Sequence, residues 1–307
     1  MIKDKTPFVS VIVIVLNMEA TIGSCLSALK KLNYPEDKYE IIVVDGGSTD
    51  NTLQVIKQFD VKLFSEASGI RGSARNYGIN KAKGSIMAFI DADCDANREW
   101  LRLHVDDHLA HPDVGAVGGG IIHKLPKEGK FTSLIIADNE TEFSVVSRMR
   151  YVSTIPTCNA SFKKSVLNRV GLFNEKLHIG EDTEICHRIV SCGYKILFDP
   201  EASIIHRSVA EFWTNSDIHK LAASFVNGGM VYFAIERAQS KQKYRLPLNA
   251  FVVLCLFLPI LLIRGLRILY KTRYIMSVRT LRQVPYLLFG SFFWTWGYFK
   301  EAKRFLR

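Results

Sequence analysis

Residues 86–94 read Ile-Met-Ala-Phe-Ile-Asp-Ala-Asp-Cys, five apolar residues that stop at two carboxylates separated by one alanine. A short apolar run bounded by polar residues reads as a strand buried on both faces. Upstream, Val9–Leu16 (VSVIVIVL) is a similar run between Pro7 and Asn17. Glu40–Val44 (EIIVV) is another, ending at Asp45-Gly46-Gly47-Ser48, and Val61–Phe64 a further one. Between them, Ile22, Leu26, Leu29 and Leu32 recur at helical spacing over Glu19–Leu32, before Tyr34-Pro35 stops the helix. Thr49–Phe59, with Asp50 in its first turn, and Ser73–Ala82 complete the alternation. Strands alternating with helices predict an α/β domain with a mostly parallel central sheet covered on both faces. Polar residues follow the strand ends: Asn17 and Glu19, then Asp45, then Asp91 and Asp93. Open parallel sheets bind ligands at that edge, so these residues are expected to share one site.

Downstream the pattern loosens. Trp100–His111 reads as a helix whose His104, His108 and His111 share a solvated face. Val114–Ile122 reads as a strand interrupted by Gly118-Gly119-Gly120, and Ser133–Arg150 as a helix. Thr157–Phe162 precedes another helix, Glu181–Gly193 is helical, and Lys195–Phe198 and Ser203–His206 read as two strands. Carboxylates at i and i+2 on a strand-end turn, as in Asp91-Ala92-Asp93, can converge on one hard cation or divide between a cation and a ribose. Alone, that tripeptide has little specificity.

Its neighbours supply the rest. Val9–Asn17 with Glu19, Glu40–Thr52 (EIIVVDGGSTDNT), Gly72–Ile79 (GSARNYGI), Ile86–Cys94, Thr157–Ser161 (TCNAS) and Gly171–Arg188 (GLFNEKLHIGEDTEICHR) occur in this order. Together, over roughly residues 8–210, they resemble the inverting family 2 glycosyltransferases of the GT-A fold. The resemblance implies a nucleotide-sugar donor and a Mn²⁺ or Mg²⁺ ion. It implies that Asp45 bonds the nucleotide base beside Asn17 and Glu19, and that Asp91 holds the ribose. Asp93 would ligate the metal, Arg71 or Arg75 would meet the diphosphate, and Asp182 would be the general base, with Glu181 and Asn159 on the acceptor side. A histidine at the place of His206 is a further metal ligand in several related enzymes; a lone strand-end histidine also serves structure. Asp182 also stands where a helix N-cap would. Processive synthases of this family carry QxxRW after the Glu-Asp pair. Nothing between Gly193 and Tyr232 matches it, which favours addition of single sugars.

Charge divides the chain. From Arg237 to Arg307 there are 14 Lys/Arg against Glu301 alone, a net +13, so the overall +10 leaves the first 236 residues at −3. A nucleic-acid binder would carry its basic surface on the folded reading head, so nucleic acid is not an expected partner. Residues 246–263 hold no charge, and residues 284–299 form a second, aromatic apolar run; a cationic, acid-free stretch separates them. The expectation is a catalytic domain over 1–235 and membrane-associated helices over 236–307, spanning as a hairpin, lying in the interface, or forming an oligomerisation face. Anionic headgroups contribute on the order of 1 kcal/mol per cation. No signal peptide precedes Phe8–Leu16, so the domain is expected on the cytoplasmic face of the membrane. The six cysteines show no CxxC spacing and read as reduced, small hydrophobes.

Similar proteins act on lipid-linked or cell-surface glycans, which makes a hydroxyl of a membrane-linked glycan the expected acceptor. A polyprenyl-phosphate sugar synthase is the near alternative, and its already ionised acceptor has little use for a base at Asp182. A non-catalytic nucleotide-sugar scaffold would not need that base at all. A nucleotidyltransferase would carry a Gly-rich loop where Asn17-Met18-Glu19-Ala20 stands.

Overall fold

The computed structural model describes residues 6–124, 131–133, 135–137, 140–142, 149–177, 180–207 and Trp296. The chain divides into two units, Met1–Thr214 and Asn215–Arg307, and the fold below is that of the first. Its elements run β1 Val9–Val15, α1 Ile22–Leu29, β2 Tyr39–Asp45, α2 Thr52–Ile56, β3 Lys62–Ser65, α3 Arg71–Lys81, β4 Ile86–Asp91, β5 Cys94–Ala96, α4 Trp100–Ala110, β6 Val114–Lys124, β7 Phe131–Ser133, β8 Ile135–Ala137, β9 Glu140–Glu142, β10 Arg150–Val152, β11 Asn159–Lys163, α5 Lys164–Val170, α6 Glu181–Ser191 and β12 Lys195–His206.

The main sheet has the order β10-β12-β6-β11-β4-β1-β2-β3, with β5 added to β12 and β7 to β6. β1 pairs in parallel with both β2 and β4, so the chain winds outward to β3 and returns to the far side of β1. That reversal between β1 and β4 is the switch point at which such sheets open a crevice. Beyond β4 the expected parallel order fails. β11 runs antiparallel between β4 and β6, while β6 and β12 are parallel. The sheet is therefore mixed, because β11 arrives from a turn rather than a helical crossover.

β1 separates two cores by its pleat. Val9, Val11, Val13 and Val15 pack with Ile22, Leu26 and Leu29 of α1 and Trp100 of α4. Ile12 faces the other way, into Ile79 of α3, Phe162 of β11, Phe173 and Ile185 of α6. Burying one Val or Ile contributes about 1.5–3 kcal/mol, which fixes which face each residue takes. At the N-terminal end, buried Ser10 donates from Oγ to Glu40 (2.6 Å), whose other oxygen meets Lys62 at 2.5 Å. Burial raises the Glu40 carboxyl, but the bonds from Lys62, Ser10 and the Lys83 amide outweigh it and hold it below the usual range.

Several expectations change. The helix expected over Ser133–Arg150 is replaced, among the described residues, by the short strands β7, β8, β9 and the start of β10. β7 pairs with β6, and β9 with β8. Lys195–Phe198 and Ser203–His206 are one strand, β12, with a register break after Asp199. The helices α1 and α2 start three residues late, since the polar residues ahead of each bond the neighbouring loop instead. The solvated histidine face of α4 is wrong for two of its three members: His104 and His108 are 0% and 3% exposed. They face β11, where Ser161 Oγ lies 2.8 Å from His104 Nδ1 and 3.0 Å from His108 Nε2.

Cys25, Cys94, Cys158, Cys186 and Cys192 are free thiols, Cys192 exposed, and Cys255 lies outside the described residues. Apart from Trp296, so do the apolar runs 246–263 and 284–299. No helix among the described residues is long and apolar enough to cross a membrane.

Candidate active site

The strand register brings the acidic ends level with one another. Val15 of β1 pairs with Asp45, and Ile14 pairs with Asp91 on the opposite side. Two loops then meet over the β1–β2 end. Asn17 takes φ 52°, a left-handed conformation that asparagine tolerates better than most residues. In that conformation its backbone N–H donates to Ser48 Oγ (2.9 Å) and its Oδ1 accepts the Thr49 N–H (2.8 Å). Glu19 Oε2 accepts the Asn51 N–H (2.8 Å), and Met18 N–H donates to Thr52 Oγ1 (2.8 Å). Asp45 is 3% exposed and accepts from Gly47 N–H (3.0 Å), Ser48 N–H (3.1 Å) and Ser48 Oγ (2.5 Å). Its carboxylate therefore forms the turn and sets where Asn17, Glu19 and Ser48 stand.

Asp91 closes β4 on the other side of the switch point. Arg75, 3% exposed on α3, is the centre of this half. Its Nη1 bonds the Glu181 carboxylate at the start of α6, and its Nη2 lies 3.7 Å from Asp91 Oδ1. The Arg75 guanidinium also lies 5.7 Å from the Phe173 ring centroid. Fixed in this way, Arg75 ties the end of β4 to the head of α6. Of the two arginines expected near phosphate, exposed Arg71 at the start of α3 is the one facing solvent within electrostatic reach of Asp91.

Gly180 caps α6 with φ 83°, which glycine adopts without penalty, so Asp182 lies within the first turn and is not the cap. Asp182 Oδ1 accepts the Thr183 N–H (2.7 Å). Burial pushes the Asp182 carboxyl above the usual aspartate range, and Glu181 adds to the rise while Arg75 opposes it. Burial likewise raises Asp91, with Arg75 again opposing and Asp93 adding. Glu181, expected on the acceptor side, is instead 4% exposed and spent on Arg75.

The third component comes from pairing late strand to early turn. β5 runs antiparallel to the end of β12, so His206 stands directly opposite Cys94. The Asp93 carbonyl accepts the Arg207 N–H (2.9 Å), and His206 Nε2 lies 3.8 Å from Asp93 Oδ1. Donor atoms of Asp93, Cys94 and His206 lie within 4.8 Å of one another. An oxygen and an imidazole nitrogen facing a common point fit a divalent cation.

Asn159, expected on the acceptor side, is 0% exposed and locks this geometry from within. Its Nδ2 donates to the carbonyls of Gly120 and Ala202, each at 2.9 Å, and its Oδ1 accepts from Trp100 Nε1 (2.7 Å) and His104 Nε2 (3.1 Å). The bond to Ala202 clamps the break in β12, where residues 200–203 swing over Gly119 and Gly120. A Cβ on either glycine would collide with the Ala202 or Pro200 carbonyl. Past the break β12 resumes, meets β5 and delivers His206 to Asp93. The residues the sequence reading missed are thus Arg75 as a tie, Cys94, and the clamp of Gly119, Gly120 and Asn159. The Gly118-Gly119-Gly120 run was the visible signal for the clamp.

The family description "Glycosyl transferase family 2" matches residues 10–171. The chain is 33% identical over 199 residues to glycosyltransferase AglE of Haloferax volcanii, covering 62% of this chain and 64% of that protein. It therefore spans less than two thirds of that relative's length. Over 238 residues it is 25% identical to the dolichyl N-acetyl-alpha-D-glucosaminyl phosphate 3-beta-D-2,3-diacetamido-2,3-dideoxy-beta-D-glucuronosyltransferase of Methanococcus voltae, covering 72% of each chain. Among solved structures, the mannosyltransferase PcManGT of Pyrobaculum calidifontis, in complex with GDP-Man and Mn²⁺, superposes with a TM-score of 0.63. It is 21% identical over 97% of this chain and 86% of its own, a likeness of fold.

Proposed function

The chain belongs to glycosyl transferase family 2, and from that premise we propose that it moves a sugar from a nucleotide-sugar donor onto a hydroxyl of a membrane-linked glycan, with inversion at the sugar carbon. The observation that carries this is the convergence of β5 with the end of β12, which sets His206 3.8 Å from Asp93 beside Asp91 and the head of α6. In this reading Asn17, Glu19 and the Asp45 turn receive the nucleoside, and Asp91 holds the ribose. Arg71 faces the diphosphate, while Arg75 keeps Asp91 in place.

Asp93 and His206 would hold a divalent Mn²⁺ or Mg²⁺ ion, which when bound supplies Lewis-acid neutralisation of the departing diphosphate. Asp182 takes the acceptor hydroxyl's proton on Oδ2, because Oδ1 already accepts from Thr183. Its raised carboxyl makes it a better proton acceptor once ionised. A single carboxylate base suffices for displacement in one step. These features favour a hydroxyl acceptor over polyprenyl phosphate, which arrives ionised, and over a scaffold without turnover.

A PcManGT-like fold seen with GDP-Man and Mn²⁺, and a dolichyl-phosphate-glycan-acting relative, support a nucleotide-sugar donor and a lipid-linked acceptor. The basic, apolar residues 236–307 would attach the 1–235 domain to the membrane by helices near 246–263 and 284–299, with the site on the cytoplasmic face. The test is release of nucleoside diphosphate from UDP- and GDP-sugars with Mn²⁺ or Mg²⁺, alongside Asp93→Ala and Asp182→Asn. Release from one donor that is metal-dependent and lost in both variants supports the reading; tight donor binding without release returns the scaffold.

A further inference from the structure

A thiol, that of Cys94, stands beside the Asp93–His206 pair, and the transfer reaction has no use for it. Cys94 is fully buried and lies directly across β5 and β12 from His206; directly opposed residues project to the same face of a sheet. Its Sγ lies 3.5 Å from Asp93 Oδ1, and all three donor atoms fall within 4.8 Å of one another. The Cys94 thiol is free.

This donor set is not what a hard cation selects. Mg²⁺ and Mn²⁺ favour carboxylate, carbonyl and water, whereas thiolate with imidazole favours Zn²⁺ and its thiophilic neighbours. A tetrahedral ion bound at about 2.0–2.3 Å holds its ligand atoms roughly 3.5 Å apart.

We propose that Asp93, Cys94 and His206 form a thiophilic cation site that captures an ion of the Zn²⁺ class and thereby displaces the hard cation that transfer requires. The inference rests on the reading of Asp93 and His206 as metal-facing. In the capture step a sulfur–metal bond forms, the thiol S–H bond breaks, and its proton leaves to solvent. Zinc at this place occupies both protein donors of the hard ion, so it blocks transfer while tying β5 to β12.

Cobalt reports the difference, because a thiolate bound to Co²⁺ gives an intense near-ultraviolet charge-transfer band that oxygen and nitrogen ligands do not. The full chain titrated with Co²⁺ is expected to show that band, and Zn²⁺ to abolish it by competition. Cys94→Ser and Cys94→Ala are each expected to lose the band and to weaken Zn²⁺ binding by at least about tenfold. Mn²⁺ affinity, read by electron paramagnetic resonance, stays within about twofold in both variants, and two substitutions guard against a folding defect in either. Cobalt binding without the band, or a band that survives both substitutions, overturns the inference and leaves the proposed transfer intact. A cobalt–thiolate band in a chain that binds no Mn²⁺ supports the thiophilic site and overturns the metal-assisted reading of transfer instead.

Discussion

The two halves of the strand-end crevice are held by different forces. On the β1–β2 side, Asn17, Glu19 and Asp50 spend side-chain oxygens on backbone N–H groups of the facing loop, and Asp45 on those of its own turn. The β4–α6 side gathers Asp91, Asp93, Glu181 and Asp182 around Arg75 and His206, and burial lifts Asp91 and Asp182 above their usual range. The first half is a set of satisfied hydrogen bonds that shape a surface. The second concentrates carboxyl groups in a buried place, and carboxyl groups raised in this way are candidates for proton transfer. Substitutions in the first half should therefore move stability and donor affinity, and those in the second should move turnover.

The largest effect belongs to Arg75. Arg75→Met leaves Glu181 buried without its cation, and breaking a buried pair in this way costs about 3–5 kcal/mol. Chemical denaturation should show that loss, and the double variant Arg75→Met/Glu181→Gln should regain much of it. If the single variant is as stable as the parent, the charged half is not held by this pair.

Next comes Asp182→Asn, expected to lower kcat about 10²–10⁴-fold while the donor dissociation constant stays put. With Asp182 as the proposed base, the same carboxyl is expected to set a pH dependence. It must be ionised to accept a proton, so activity rises with pH along a limb displaced above the ordinary aspartate value of about 3.9. The sign for stability is opposite. A carboxyl raised in the folded state makes the folded chain bind the extra proton, so its contribution falls as pH rises from the unfolded value through the folded one. A kcat profile flat down to pH 4 would contradict the assignment.

A smaller effect is expected at Asp45. Asp45→Ala removes the acceptor of the Gly47 and Ser48 amides and should cost about 1–3 kcal/mol, together with weaker donor binding and little change in kcat. Smallest is Asn17→Ala. One loop-bridging bond lost at an exposed residue costs about 1 kcal/mol, measurable as a shift of a few degrees in Tm. A large fall in kcat from either would erase the distinction between the halves.

How much of this was legible in the sequence follows the same division. The β1–β4 half could be read because each strand is a local apolar run and each polar end follows directly, so periodicity and position coincide. The motifs singled out Asp91, Asp93 and Asp182, which the structure sets at the end of β4, in the turn before β5 and in the first turn of α6. What could not be read was pairing between distant segments. Nothing local says that β11 enters antiparallel, or that β5 adds to β12 so that Cys94 meets His206. His104 and His108 look solvated at their helical spacing, yet Ser161 and Asn159 on another strand supply the partners that make them buried. Burial holds both imidazoles neutral near pH 7, with the His104 ring pushed down to about 4 and the His108 ring to about 3. Asn159 was misplaced for the same reason: its bonds go to carbonyls far along the chain.

The central claim is tested most directly by Asp182→Asn against the parent, with nucleoside diphosphate release and glycan product followed together on membranes supplied with Mn²⁺ and the accepted donor. The account predicts product formation by the parent, loss of about 10²–10⁴-fold in the variant, and equal donor affinity in the two. Equal rates of product formation by both would contradict it.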